Sequence, residues 1–297
     1  MEKSIFESAI ETAIAAGQAI MAIYARDFDV ELKADKSPLT EADRAAHNII
    51  IDALCTTGYP VLSEESGAIP YDQRRAWTTY WLVDPLDGTK EFIKKNDEFT
   101  VNIALIDRGS PVFGVVYAPV LQTLYVGSVM AGKEHKAWRS GNCAEKTVDE
   151  IIASAEPLSV SGLTNPELEC DRPLRVVASR THCNEETDTF ISALEEEFGE
   201  VERVSSGSSL KLCMVAEGSA DIYPRIAPTM EWDTAAAHAV VTAAGGAVYI
   251  YEAQLPVSSY HVVPVGESSD PVTAPFPLRY NKENLLNPHF VVSGLRT

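Results

Sequence analysis

The sequence predicts an α/β protein in which helices and sheets form layers. From residue 174 to 251, short apolar runs alternate with helical patterns, which is typical of strands covered by helices. In the first half, two β-rich runs at 99–106 and 111–117 flank an Asp-Arg-Gly-Ser turn and predict a hairpin. The 297 residues are enough for one large domain or two smaller ones.

The remaining elements follow from apolar spacing and turn residues. Helical spacing predicts helices at 6–24 and 40–54, the second with Thr40 as N-cap and Asp43 in its first turn. Further strands are expected at 30–33, 60–63, 80–83, 121–126, 174–178, 201–205, 220–223 and 247–251, and further helices at 184–198, 208–217 and 234–244. Residues 127–172 look irregular, and we place a domain boundary near their end. Residues 252–288 are proline-rich and are expected to be irregular as well.

Charge, cysteine content and apolar runs argue against a nucleic-acid-binding, a disulfide-bonded or a membrane-spanning protein. The net charge is −19, from 24 basic and 43 acidic residues, which disfavours binding to nucleic acid. Five cysteines without a C-x-x-C pair indicate a reducing compartment, and the pattern places Cys55 and Cys213 in the core. No secretory signal is expected at the start of the chain, and no apolar run is long enough to span a bilayer.

Carboxylates occur where predicted strands end or helices begin. They are Asp43, Glu64 with Glu65, Asp84 with Asp87, and Asp233. Carboxylates suit Mg²⁺, Mn²⁺ or Ca²⁺, and two such ions can clamp a phosphoryl transfer. Gly88 and Thr89 stand at a helix start, where N–H groups can bind a phosphate. Taken singly, these residues also fit a turn, a solvated face, an N-cap or a complement to a helix dipole.

These motifs resemble those of the inositol monophosphatase superfamily, the lithium-sensitive, Mg²⁺-dependent phosphatases. The matching motifs are Asp84-Pro-Leu-Asp-Gly-Thr89, Glu64-Glu65 and Trp232-Asp-Thr-Ala-Ala236. Residues 84–106, 114–119 and 207–211 are more similar to one branch, the bacterial CysQ-type 3′(2′),5′-bisphosphate nucleotidases. The resemblance implies an alternating α-β-α-β-α sandwich of the inositol monophosphatase and fructose-1,6-bisphosphatase type. Segments 127–172 and 251–284 look longer than this branch requires.

The resemblance also implies roles for residues of this chain. Glu64, Asp84, the carbonyl of Leu86, Asp87 and Asp233 would bind metal, and Asp43 with Thr89 would orient and deprotonate the attacking water. Substrate would contact Glu64, Leu86, Asp87, Gly88, Thr89, His182, Ser208, Lys211, Arg225 and Asp233. The N-terminal half, 1–170, would carry most metal ligands, and the C-terminal half, 171–297, would carry Asp233 and the nucleotide-binding residues. Two or three Mg²⁺ ions are expected, with Mn²⁺ as a substitute and Li⁺ and Ca²⁺ as inhibitors.

The implied reaction is hydrolysis of the 3′-phosphate of adenosine 3′,5′-bisphosphate to AMP and phosphate, in sulfur assimilation or nucleotide recycling. 3′-Phosphoadenylyl sulfate is a second expected substrate. The alternatives are an inositol monophosphatase or inositol polyphosphate 1-phosphatase and, from another class, an inactive metal-binding regulatory protein. We expect a monomer or homodimer whose partner is a small nucleotide bisphosphate. It is expected in the cytoplasm, where some relatives associate peripherally with the inner membrane.

Overall fold

A computed structural model of the protein describes residues 4–32, 38–129, 134–163, 172–178, 184–261 and 275–295. The helices are α1 (Ile5–Tyr24), α2 (Glu41–Leu54), α3 (Tyr71–Arg74), α4 (Thr89–Lys94), α5 (Val148–Ala153), α6 (Glu185–Phe198), α7 (Leu210–Ala216) and α8 (Glu231–Ala243). The strands are β1 (Val30–Leu32), β2 (Pro38–Thr40), β3 (Val61–Ser63), β4 (Thr79–Asp87), β5 (Thr100–Asp107), β6 (Ser110–Ala118), β7 (Thr123–Ser128), β8 (Lys136–Ser140), β9 (Glu156–Pro157), β10 (Leu174–Val177), β11 (Val201–Val204), β12 (Ile222–Arg225), β13 (Ala247–Ile250) and β14 (Phe290–Ser293).

A seven-stranded sheet in the order β3-β4-β5-β6-β7-β8-β9 forms the centre of the first half. Only β3 and β4 pair in parallel, and the predicted hairpin is the antiparallel pair β5 and β6. Successive side chains of β5 point to opposite faces, so Ile103 and Leu105 join the core under α1 and α2, while Ala104 and Ile106 face α8. Because both faces are covered, these strands are almost continuously apolar.

A second, five-stranded sheet has the order β11-β10-β12-β14-β13. Strands β10, β11 and β12 are parallel, whereas β14 runs antiparallel between β12 and β13. The alternating pattern predicted the parallel strands but not β14. The short apolar run at 290–293 follows a proline-rich segment. Its partner strands lie some forty to seventy residues earlier in the chain, so no local turn signal in the sequence predicts this strand.

The packing of helices on these sheets gives five layers and confirms the predicted α-β-α-β-α sandwich. Helices α1 and α2 cover one face of the seven-stranded sheet, and α7 and α8 lie between the two sheets. Helix α6 covers the outer face of the five-stranded sheet. The boundary near residue 170 stays a prediction. Within the described ranges, no helix is both long and apolar enough to cross a bilayer.

The sequence predictions for residues 127–172 and for Cys55 are wrong. Residues 127–172, predicted to be irregular, contain α5 and the strands β8 and β9, and the two strands extend the edge of the seven-stranded sheet. These elements are short and polar on their outer side, so their periodicity is weak. Cys55 is exposed rather than buried, because α2 ends at Leu54 and the chain turns outward there, whereas Cys213 is buried as predicted.

Helix α8 lies directly against the backbone of the seven-stranded sheet. A Cβ atom on Gly114 of β6 would overlap the backbone carbonyl of Ala236, and one on Gly127 of β7 would overlap the backbone at Val240. Neither neighbour is the flexible end of a side chain, so the helix can approach this closely only because both strand residues are glycines. This approach sets the distance between α8 and the sheet.

We therefore expect Gly114→Ala to lift α8 from the sheet and to lower the free energy of unfolding by about 1–3 kcal/mol, the usual cost of overpacking. Urea unfolding at equilibrium measures this change. Gly141→Ala is the matched control, because a Cβ there meets no atom within 4 Å. Equal stability of the two variants would show that α8 is not held by this contact.

Candidate metal and phosphate site

The Asp84–Thr89 motif is built on an irregularity in β4. The sequence suggested that the strand ends at Asp84, but β4 continues to Asp87, where three steps along β4 oppose two steps along β5. In a regular strand, residues three apart face opposite sides of the sheet. The extra residue brings both carboxylates to the same side, which is a common use of a β-bulge.

Asp233 comes to the same place from α8. The sequence suggested a helix at 234–244, with Asp233 before it, but α8 starts at Glu231 and Asp233 lies within its first turn. One oxygen of Asp233 accepts a hydrogen bond from the Met230 N–H at 2.8 Å. Carboxylate oxygens of Asp84, Asp87 and Asp233 all lie within 4.8 Å of one another.

The electrostatics of these three acids is unfavourable without a cation. Burial raises the pKa of Asp84 well above its usual range, and the charges of Glu64, Asp87 and Asp233 raise it further. Burial and the charge of Asp87 raise the pKa of Asp233 to about 8. Hard oxygen donors that repel one another are the donor set a divalent cation needs, so the cluster could bind metal.

Glu64 and the Leu86 carbonyl border the cluster. Glu64 follows β3, and its N–H donates to the Val83 carbonyl at 3.1 Å. The carboxylate is close enough for a hydrogen bond with Asp84. The Leu86 N–H donates to Asp84 at 3.0 Å and its side chain is buried, so only its carbonyl is left for a ligand at this site.

Asp43 and Thr89 form a bonded pair beside the cluster. The Thr89 hydroxyl donates to Asp43 at 3.2 Å, and it also lies 3.3 Å from the Leu86 carbonyl. The other Asp43 oxygen accepts from the backbone N–H and the hydroxyl of Thr40, at 2.7 and 2.6 Å. Thr40 thus caps α2 as predicted and also orients the buried carboxylate of Asp43.

Several residues that hold Asp87 were not predicted. One Asp87 oxygen accepts from the Ser209 backbone N–H at 2.8 Å and hydroxyl at 2.7 Å, and from the predicted Ser208 hydroxyl at 2.6 Å. Thr100 and Asn102 of β5 approach the same oxygen at 3.5 and 3.3 Å. Their signal was present in the sequence: two polar residues, two apart, interrupt an otherwise apolar strand and therefore face the same side.

A pocket of about 350 Å³ opens beside the carboxylates. Its lining brings together predicted site residues from both halves of the chain, namely Asp87, Gly88, Ser208, Lys211, Arg225 and Asp233. Pocket-lining residues that the sequence analysis did not identify include Glu91, Glu98, Tyr223 and Phe290. His182, also predicted, lies outside the described residues.

Lys211 and Arg225 place positive charge in this pocket. Burial lowers the pKa of Lys211 to about 8, an effect that the negative charge of Asp87 opposes and the positive charge of Arg225 adds to. The Lys211 ammonium donates to the Ser206 carbonyl at 3.3 Å. Arg225 donates to the Pro228 carbonyl at 3.0 Å, and its Nε is buried without a hydrogen-bond partner in the described part of the chain. Buried cationic donors of this kind favour an anionic ligand.

The raised pKa of Asp233 makes metal binding depend on pH. Below about pH 8 this carboxyl holds a proton in the metal-free protein, and a metal ion must displace it. We expect the apparent affinity for Mn²⁺ to rise from about pH 6 to about 8, by up to about tenfold per pH unit for each proton released. Calorimetric titration in buffers of different ionisation enthalpy counts these protons. Asp233→Asn should bind more weakly with a flatter pH dependence, and a pH-independent affinity in the wild type would contradict this view of the cluster.

Comparison with known proteins identifies the family to which this chain is related. A model of the "Inositol monophosphatase family" matches residues 1–285. A protein of Escherichia coli O157:H7 named 3′(2′),5′-bisphosphate nucleotidase CysQ is 44% identical over 283 residues, which cover 94% of this chain and 95% of the relative. A relative of the same name from Haemophilus influenzae is 32% identical over 297 residues, covering 99% of this chain and 94% of the relative.

Similarity to a solved structure extends over nearly the whole chain. The crystal structure of CysQ from Bacteroides thetaiotaomicron, described as a bacterial member of the inositol monophosphatase family, has a TM-score of 0.75 and 45% sequence identity. The match covers 96% of this chain and 95% of that one. The protein described here therefore belongs to the inositol monophosphatase family.

Proposed function

We propose that this protein is a divalent-metal-dependent 3′(2′),5′-bisphosphate nucleotidase that removes the 3′-phosphate of adenosine 3′,5′-bisphosphate, yielding AMP and phosphate. The observation that carries the proposal is the presence of Lys211 and Arg225 in the pocket that also contains Asp87 and Asp233. A carboxylate cluster serves the reacting phosphate through bound cations, whereas a second phosphate needs cations of the protein itself. The curated relatives named above carry the same activity in their names.

The metal ligands in this proposal are the carboxylates of Glu64, Asp84, Asp87 and Asp233 and the Leu86 carbonyl. When bound, two or three Mg²⁺ ions would lower the pKa of a water molecule and neutralise charge on the phosphate. Mn²⁺ is the proposed substitute, and Li⁺ and Ca²⁺ are the proposed inhibitors. The predominance of oxygen donors supports this choice of ions.

Asp43 and Thr89 are the proposed residues for water activation. The Thr89 hydroxyl, which donates to Asp43, can accept a proton from the attacking water while its own proton passes to the Asp43 carboxylate. The water oxygen then forms the new bond to phosphorus as the bond from phosphorus to the ribose 3′-oxygen breaks, and the 3′-oxygen takes up a proton from solvent to become the 3′-hydroxyl of AMP. The two hydrogen bonds from Thr40 keep the Asp43 carboxylate oriented for this transfer.

Substrate binding divides between the two ends of the pocket. The backbone at Gly88 and Thr89 faces the reacting phosphate, while Ser208, Lys211 and Arg225 hold the nucleotide and its 5′-phosphate. His182 belongs to the proposed substrate-binding set by resemblance alone. 3′-Phosphoadenylyl sulfate, which carries phosphate and sulfate at the 5′ position, is the proposed second substrate. The protein is proposed to act in the cytoplasm as a monomer or homodimer.

An inositol monophosphatase and a regulatory protein each explain fewer of these observations. The substrate of an inositol monophosphatase carries no second phosphate for Lys211 and Arg225 to bind. A regulatory protein that binds metal without catalysis would not need Asp43 and Thr89 to be bonded beside the metal ligands.

Phosphate release from a substrate panel tests the proposal. With Mg²⁺, we expect the wild type to hydrolyse adenosine 3′,5′-bisphosphate in preference to inositol monophosphate. Arg225→Ala should release phosphate from the bisphosphate about ten- to a hundredfold more slowly than the wild type, since a charged hydrogen bond contributes about 1.5–3 kcal/mol. On adenosine 3′-monophosphate, which lacks only the 5′-phosphate, the same variant should be nearly unaffected.

Asp87→Asn provides the control for catalysis and should release no phosphate from either nucleotide. If Arg225→Ala slowed phosphate release from both nucleotides equally, Arg225 would not be a ligand of the 5′-phosphate. A wild type that prefers inositol monophosphate would support the hypothesis of an inositol monophosphatase. A wild type that is inactive on every substrate would support the hypothesis of a regulatory protein.

A further inference from the structure

Glu231 is a fully buried carboxylate, two residues before Asp233, that the proposed reaction does not use. It accepts hydrogen bonds from the Lys282 ammonium at 2.6 Å and from the backbone N–H groups of Asn281 and Lys282 at 2.7 and 3.0 Å. A buried charge remains in place only when it is paired and bonded in this way, and the loss of one partner is costly. The start of α8 is thus tied to a segment of chain some fifty residues later.

The same segment contacts α8 at several further points. We call residues 279–287 the clamp. Its Asn287 side-chain amide donates to the Met230 carbonyl at 2.8 Å and to Thr234 at 3.1 Å, while its Leu285 carbonyl accepts from the Glu231 N–H at 2.9 Å. The hydroxyl of its Tyr280 lies 2.9 Å from His238 Nδ1. The clamp therefore fixes the first two turns of α8.

The other side of the clamp is bound to the end of α3 and to the seven-stranded sheet. Buried Arg74, which precedes β4, donates to the carbonyls of Lys282 and Glu283 at 2.6 and 2.7 Å. Arg279 donates to Ser110 at 2.7 Å, at the turn between β5 and β6. The clamp thus bridges α8, which carries Asp233, and the sheet, which carries Asp84 and Asp87.

We propose that Glu231 is a positioning residue: through the clamp it fixes α8 relative to β4 and so holds Asp233 against Asp84 and Asp87. The three carboxylates repel one another, and this repulsion acts to separate α8 from β4. The bond path is short, because the Met230 N–H holds the Asp233 carboxylate while the Met230 carbonyl is held by Asn287 of the clamp. The inference rests on the metal-binding role proposed above.

Mn²⁺ binding by the metal-free protein tests the proposal without any turnover. In Glu231→Gln, an amide NH₂ group replaces one carboxylate oxygen. This group faces N–H donors of the clamp and cannot accept their hydrogen bonds. We expect Mn²⁺ affinity, followed by titration calorimetry, to fall roughly tenfold or more, as is usual when a group behind a metal ligand is changed. Lys282→Met, which leaves Glu231 with its two backbone donors, is the second variant and decides the question if Glu231→Gln does not fold.

Asp221→Asn is the matched control. Asp221 is equally buried and pairs with Arg172 at 2.8 Å, but it ties β12 to the start of β10 rather than to the clamp. This variant should have a lower free energy of unfolding, measured by urea unfolding, and wild-type Mn²⁺ affinity. Wild-type affinity in both Glu231→Gln and Lys282→Met would overturn the proposal and leave Glu231 a purely structural residue. A wild type that does not bind Mn²⁺ would instead overturn the proposed metal site itself.

Discussion

The mutual repulsion of Asp84, Asp87 and Asp233 is the constraint on which the arrangement of this protein depends. Three carboxylates whose oxygens lie within 4.8 Å of one another, with Asp84 buried and Asp87 and Asp233 partly buried, are unfavourable in a protein that lacks a compensating charge. Burial and this repulsion raise the pKa of Asp84 well above its usual range and that of Asp233 to about 8. A fold that keeps such a cluster does so for a ligand, since functional sites commonly reduce stability.

The scaffold resists this repulsion from two directions. An irregularity in β4 turns Asp84 and Asp87 to the same side, and glycines in β6 and β7 let α8 lie on the sheet backbone. Hydrogen bonds from Ser208 and Ser209 then hold Asp87, while the capping bond from Met230 holds Asp233. Because the ligands come from separate elements in the two halves of the chain, the packing of the layers determines the geometry of the site.

Much of this could be predicted from the sequence, for identifiable reasons. Helices α1 and α2 and the β5–β6 hairpin have strong apolar periodicity, so their positions were predicted within one or two residues. The acids Asp43, Asp84, Asp87 and Asp233 stand in distinctive motifs, and the structure brings the last three together. Strand β14 was missed because its pairing is long-range and leaves no local pattern, and β8 and β9 were missed because they are short and their periodicity is weak.

Supporting residues were harder to predict than ligands. Ser209, Thr100 and Asn102 act through Asp87, and a lone polar residue in a sequence does not show which carboxylate it contacts. Glu231 illustrates the limit, because an acid in the first turn of a helix normally indicates only an interaction with the helix dipole. Its partners at 281 and 282 are joined to it by tertiary folding alone.

Thermal unfolding of the metal-free protein with and without Mg²⁺ tests most directly whether repulsion among the carboxylates is relieved by cations. At a Mg²⁺ concentration about a hundredfold above Kd, binding should stabilise the wild type by about 2.7 kcal/mol and raise Tm by several degrees. Asp84→Asn removes a carboxyl group that folding must either keep charged among like charges or protonate, so we expect a higher Tm than the wild type without metal and little further rise when Mg²⁺ is added. An unchanged wild-type Tm in Mg²⁺, together with a metal-free Asp84→Asn variant less stable than the wild type, would contradict a metal site at these carboxylates.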